Sequence, residues 1–140
     1  MASGLSIYYA DKVNDFLWRG TSFTPPASTW VALFMNVGSS AFLRTNTLGS
    51  ANEMSGDTYA RVKIMATTSI LFAVSASGHT DNTADIAFAA AGTSWGTVYA
   101  AALMDASTAG NVVAWADVTP ILVTPPDVVT IAAGYFDFNL

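Results

Sequence analysis

The sequence predicts an all-β fold: a β-sandwich or jelly-roll-like domain with one short N-terminal α-helix. Three observations carry this. From Tyr59 onward, short strand-forming runs recur at regular spacing between turn residues. The continuous apolar run Trp30–Met35 is short and flanked by proline and glycine, which favours a buried strand. Only one stretch of the 140 residues carries a helical period.

That stretch comes first. Leu5, Tyr9, Val13 and Phe16/Leu17 recur on one face of a 3.6-residue period, with Asp11, Asn14 and Asp15 largely opposite. Ser3 or Ser6 can cap its start and Gly20 its end, and Arg19 suits the negative end of the helix dipole. Thr24-Pro25-Pro26 then excludes helix. The division expected is a helical arm, residues 1–20, and a single β-sandwich domain, residues 21–140. After the Trp30 strand, Asn36 to Gly56 is polar, is interrupted only by Ala41-Phe42-Leu43, and reads as an extended loop. Long loops in compact domains carry function or bind partners.

The later strands are Tyr59–Met65, Ile70–Ser75, Ala84–Phe88, Thr97–Met104, Asn111–Val118, Val128–Ala132 and Tyr135–Leu140. Turn signals divide them at Ser77-Gly78, Asp81-Asn82, Ala91-Gly92, Ala109-Gly110, Pro125-Pro126-Asp127 and Gly134. The last strand alternates, with Phe136, Phe138 and Leu140 on one face.

Composition excludes several functions. Charged residues are 11% of the chain, against about 25% in ordinary domains. The five cations, Lys12, Arg19, Arg44, Arg61 and Lys63, form no phosphate-neutralising patch, so no nucleic-acid partner is expected. Cysteine is absent, which removes disulfides, thiolate metal sites and a Cys nucleophile. No apolar run approaches the roughly 18 residues of a membrane span, and no signal peptide or membrane partner is expected. So few charges cannot cover a monomer in the usual way. Burial against other subunits is the favoured reading.

Candidate chemistry is sparse. His79 is the single histidine, with Ser75, Ser77, Asp81 and Asp85 near it, but these are turn residues and no G-x-S-x-G elbow occurs. An exposed loop histidine is the simpler reading. Asp81-Asn82-Thr83-Ala84-Asp85 offers oxygen ligands without EF-hand spacing. No two of the ten carboxylates are paired by sequence at a defined site for sugar hydrolysis. Trp18, Trp30, Trp95 and Trp115 could stack on carbohydrate, though core or subunit-interface positions suit them better. No catalytic residue, metal site or cofactor is expected.

An ordered set of motifs resembles a family of small bacteriophage virion proteins of tail-fibre-like type. It runs from the N-terminal helix through Thr24-Pro25-Pro26 and Trp30-Val31-Ala32-Leu33-Phe34 to Glu53-Met54-Ser55-Gly56 and Tyr59-Ala60-Arg61. It continues with Asp85-Ile86-Ala87-Phe88, Ala91, Trp95-Gly96-Thr97-Val98, Met104-Asp105-Ala106, Gly110-Asn111 and Ala132-Ala133-Gly134. Pro125-Pro126-Asp127 and the region Ala73 to Thr83 depart from the family pattern.

The resemblance implies a β-rich, non-enzymatic virion subunit, localised in the virion after assembly in the cytoplasm of a bacterial host. The favoured role is a capsid cement or decoration protein that oligomerises on the head shell and stabilises it. Its expected partners are copies of itself, as a trimer, and the major capsid protein or other virion proteins. The alternative is a tail or tail-fibre component contacting a host receptor, through a tip such as Ser75–Thr83 or Ala91–Ser94. A carbohydrate-binding module is the less favoured third. Cement is preferred because the chain has no shaft-forming repeat.

The candidate interface residues are Leu5, Tyr9, Val13, Phe16 and Leu17 of the helix, with Phe42 and Leu43 of the long loop. The fold-specifying residues are Tyr59, Arg61, Trp95, Gly96, Asp105 and Gly110. Arg61 is expected to tie the Glu53 loop to the sheet through a carboxylate pair. Trp95-Gly96 would place a large ring beside a close backbone approach, and Asp105 and Gly110 would shape a hairpin loop.

Overall fold

A computed structural model describes residues 3–64, 72 and 77–139. Its centre is an antiparallel sheet whose described strands are β1 (Ser3–Leu5), β2 (Thr29–Phe34), β3 (Val62–Ile64), β6 (Gly96–Met104) and β7 (Val112–Val123). They lie in the order β1-β7-β6-β2-β3. Two small pairs accompany it, β4 (His79–Asp81) with β9 (Asp137–Asn139) and β5 (Ile86–Ala87) with β8 (Thr130–Ile131).

Both faces of the sheet are buried. Successive side chains alternate across a strand. Val31 and Leu33 of β2, with Ala101 and Leu103 of β6, face a core completed by Met54, Ile86, Phe88, Trp95 and Phe136. Ala32 and Phe34, with Ala100, Ala102 and Met104, face a second core closed by Leu43 and Ala51. Hence the strands read as unbroken apolar runs rather than alternating ones.

The second core belongs to the region expected as a loop. It forms two short helices, α2 (Ser39–Arg44) and α3 (Leu48–Ala51). Neither is long enough to show a helical period in sequence. Tertiary packing holds them: Leu43 is fully buried, and the small alanines of β2 and β6 let the helices lie close to the sheet. Ser39 Oγ donates to the carbonyl of Ala51 at 2.9 Å and joins the two. With the N-terminal helix there are three helices among the described residues, where one was expected.

The N-terminal helix α1 (Ile7–Arg19) has the predicted ends. Ser6 Oγ accepts from the Tyr9 N–H at 3.2 Å, and Gly20 closes the helix in the left-handed region at φ 67°. Ahead of it, β1 joins the sheet by pairing Ser3, Gly4 and Leu5 with Ala116, Trp115 and Ala114 of β7. Residues 3–5 of the expected arm are therefore a sheet strand.

Strand bounds differ in informative places. β7 continues to Val123, through Pro120, beyond the expected stop at Val118. The register explains this: Val98 pairs with Ile121 but Ala100 with Asp117, so Pro120 falls in a bulge where no ladder donor is required. Tyr59–Arg61 precede β3 rather than belong to it. Of the expected strand Ile70–Ser75, only Phe72 lies within the described residues, as an isolated bridge to Asn82. His79 lies on β4 rather than in a loop, with Nε2 3.4 Å from Asp137 Oδ2 on its paired strand.

Candidate functional site

Two constructions dominate the end of the sheet where β6 passes into β7. The first is a polar clamp. Arg61 Nε and Nη2 donate to Glu53 Oε1 and Oε2 at 2.8 and 2.7 Å, a bidentate pair. Nη1 donates to the carbonyls of Ala106 and Ala109 at 2.6 and 2.9 Å. One guanidinium, only 4% exposed, thus holds both the Glu53 segment and the β6–β7 loop. Tyr59 completes it: its hydroxyl donates to Glu53 Oε1 at 3.1 Å and accepts from the Leu33 N–H at 3.0 Å. Burial, reinforced by the nearby Glu53 carboxylate, pushes the Tyr59 phenol well above its ordinary range.

The loop itself is shaped by Asp105. Its Oδ1 accepts from the Asn111 N–H at 2.6 Å, and its Oδ2 from Asn111 Nδ2 at 3.0 Å. Gly110 sits at φ 77°, and a Cβ there would collide with Asp105 and Ala106. The close approach to Trp95 is made by Gly56 rather than Gly96, since a Cβ on Gly56 would overlap the indole ring. Gly96 serves by its backbone, at φ 91°, which other residues rarely adopt.

The second construction is the arm. The Ser6 N–H donates to the Val113 carbonyl at 3.0 Å, and Ser6 Oγ donates to the Val112 carbonyl. The Tyr9 ring packs edge-on against Phe23, and its hydroxyl donates to Asp105 Oδ2 at 3.2 Å. Burial, together with the Asp105 carboxylate, raises the Tyr9 phenol as well. The first half of α1 is thereby fastened. The last turn is not: Phe16, Leu17 and Trp18 are 52%, 59% and 81% exposed.

This divides the candidate interface residues. Tyr9 and Leu43 are buried within their own chain, Tyr9 by Phe23 and Asp105, Leu43 by the alanine face of the sheet. They offer no surface to a partner. Leu5 packs from β1 against the first core, and Val13 is half-buried. Phe16, Leu17 and Phe42 are exposed. Trp18, read from sequence as a core or subunit-interface tryptophan, lies off the apolar stripe and is outside its own chain's core. Its signal was available: three consecutive large apolar residues, 100° apart on a helix, cannot all face one sheet.

Among the described residues, other polar side chains hold turns. Asn82 Nδ2 donates to the carbonyls of Ala84 and Ala132, and its Oδ1 accepts from the Phe136 N–H. Asp85 accepts from the Ala133 N–H. The Asp81–Asp85 stretch thus ties turns together. Among the described residues, no group of three His, Cys, Asp or Glu side chains is placed to hold a metal ion. The tryptophans do not share a surface either, since Trp95 and Trp115 lie in separate cores.

A family model described as podophage GP4 fiber I protein gp80 matches residues 4–139, from β1 to the last strand. The chain belongs to this family. The gp80 match makes it a phage virion structural protein of fibre type, in line with the resemblance in its motifs. The matched span includes the clamp, the β6–β7 loop and the whole of α1. A comparison with curated proteins gives no match.

Proposed function

We propose that the protein is a non-enzymatic subunit of a tail fibre, held to a neighbouring virion protein by the exposed last turn of α1. The single observation that carries the fibre reading is the gp80 family match over nearly the whole chain, and the exposure of Phe16, Leu17 and Trp18 is what supports attachment through α1. The fibre reading replaces capsid cement as the preferred role, because the family is named for a fibre and nothing points to the head. The non-enzymatic reading is supported by how the ionic side chains are used. Glu53, Arg61 and Asp105 are each engaged in holding backbone segments.

The geometry suits a passive structural part. The clamp fixes the β6–β7 loop against the Glu53 segment, and the arm is anchored beside that loop through Tyr9 and Asp105. A body held together in this way, presenting one apolar helix turn, suits docking against a partner. Host-receptor contact is a further role of such a subunit, and Ala91–Ser94 is exposed apart from Ala91.

Gold-labelled antibody against the protein on purified particles tests the reading. Label on the tail is expected. Label on the head surface would return the protein to the cement role, and absence of label from particles would end the structural-subunit reading.

A further inference from the structure

Beside the clamp lies an open hollow of about 410 Å³, walled by Trp30, Glu53 and Arg61 and rimmed by Ser107 and Thr108 of the β6–β7 loop. Its size falls within the ~300–1,000 Å³ of small-molecule sites.

The polar groups here divide into those used within the chain and those left free. A guanidinium has five N–H donors. Four of Arg61's go to Glu53 and to the carbonyls of Ala106 and Ala109. Its charge is matched by Glu53, and its side chain is only 4% exposed. Arg61 therefore holds the wall and draws no anion to it.

Glu53 is different. A carboxylate accepts at about four lone-pair positions. Three are filled, two at Oε1 by Tyr59 and Arg61 and one at Oε2 by Arg61. One stays free at Oε2 among the described residues, on a side chain that is 29% exposed. On the rim, Ser107 and Thr108 are exposed, and neither hydroxyl has a partner among the described residues.

These groups stand on a fixed frame. Glu53 is held by Tyr59 and Arg61, and the backbone of the rim by Arg61 and Asp105. Ala109 sits at φ 49°, a left-handed conformation uncommon for a residue with a Cβ, and its carbonyl is one of the two bonded to Arg61. A frame set in advance loses little freedom when a ligand arrives.

The free groups select the ligand. An open carboxylate lone pair and two hydroxyls match a molecule rich in O–H groups. The Arg61–Glu53 pair cancels in charge, which favours a neutral one. The half-buried Trp30 indole supplies an apolar wall for the C–H face of a sugar ring. Lys63 is exposed beside it, its Nζ 5.9 Å from the ring centre, and adds donors for ring hydroxyl oxygens.

We propose that this hollow binds a neutral hexopyranose, its hydroxyls on Glu53 Oε2, Ser107 and Thr108 and its ring against Trp30. The site stands apart from the docking of α1 and does not depend on it.

The full-length protein is titrated with glucose, galactose, mannose and N-acetylglucosamine at millimolar concentrations, and with N-acetylneuraminic acid as an acidic probe. Amide and indole N–H resonances are followed by two-dimensional NMR. Saturable shifts with at least one neutral sugar are expected at the Trp30 indole and at the amides of Ser107 to Ala109. The double variant Ser107→Ala, Thr108→Ala changes only exposed side chains and should leave the fold's spectrum intact. It should weaken the binding about threefold or more, the effect of losing one or two hydrogen bonds. No saturable shift with any of the four neutral sugars would overturn the proposal. So would binding of the acidic sugar alone, shifts confined to residues away from the hollow, or affinity unchanged in the double variant. Label on tails with no response to sugar would remove this site and leave the fibre role standing.

Discussion

Arg61 and Glu53 meet through two hydrogen bonds of 2.8 and 2.7 Å, and the same guanidinium holds two carbonyls of the β6–β7 loop. Two segments far apart in sequence are thus fixed by one side chain. Arg61→Met should cost about 2–3 kcal/mol, the scale of lost charged hydrogen bonds. Arg61→Lys should recover less than half, because an ammonium cannot reproduce the planar fork. Urea denaturation of both variants checks this, and equal stability of the Lys variant and wild type would refute it.

Tyr59 should make the fold sensitive to alkali. Its phenol titrates higher when folded than its ordinary value of about 10. The stability it contributes is therefore complete below pH 10 and falls as pH rises from there toward the folded value. Tyr59→Phe should be less stable by about 1 kcal/mol at pH 7, since the Leu33 N–H loses its acceptor. The gap to wild type should narrow above pH 10. Denaturation curves at pH 7 and pH 11 measure both effects, and a constant gap would count against the assignment.

Gly56→Ala should destabilise by about 1–3 kcal/mol, the range for overpacking against a core side chain. The added methyl would overlap the Trp95 indole, which is 2% exposed. Adding Trp95→Phe should return part of the loss, which a double-mutant cycle by thermal melting would read as a coupling. Simple additivity would place the strain elsewhere.

Trp18→Ala should change monomer stability by less than about 0.5 kcal/mol, as for other surface positions. Tyr9→Ala should cost several times more, because Tyr9 is buried and bonded to Asp105. Urea titrations at low protein concentration separate the two. This substitution is cleaner than deleting residues 1–20, which would also remove β1 and bare the edge of β7.

The legible parts of the fold were those governed by local chemistry. Ser6 and Gly20 bound α1 because capping needs only a side-chain acceptor and a left-handed residue. β2 and β6 were visible because burial on both faces makes their sequences continuously apolar. The carboxylate partner of Arg61 was visible because Glu53 is the only glutamate and lies near it in sequence. The two loop carbonyls on the same guanidinium were not, since they come from 45 and 48 residues away. α2 and α3 were hidden for a different reason. Their stability lies in the sheet beneath them, in alanines whose significance appears only once the strands are placed. The half-buried, half-exposed division of α1 was hidden too, because periodicity shows which residues share a face and not how far along the helix that face is covered.

The pairing of β1 with β7 has a consequence for the order of synthesis. Ser6 hydrogen-bonds to Val112, 106 residues later in the chain. The residues of β1 are thus seated against a strand made much later, and a loop of that span closes late. Until β7 has emerged, α1 has no base to stand on and its apolar turn has no fixed direction. A chain whose β7 has not yet been made therefore leaves α1 without the strand that anchors it.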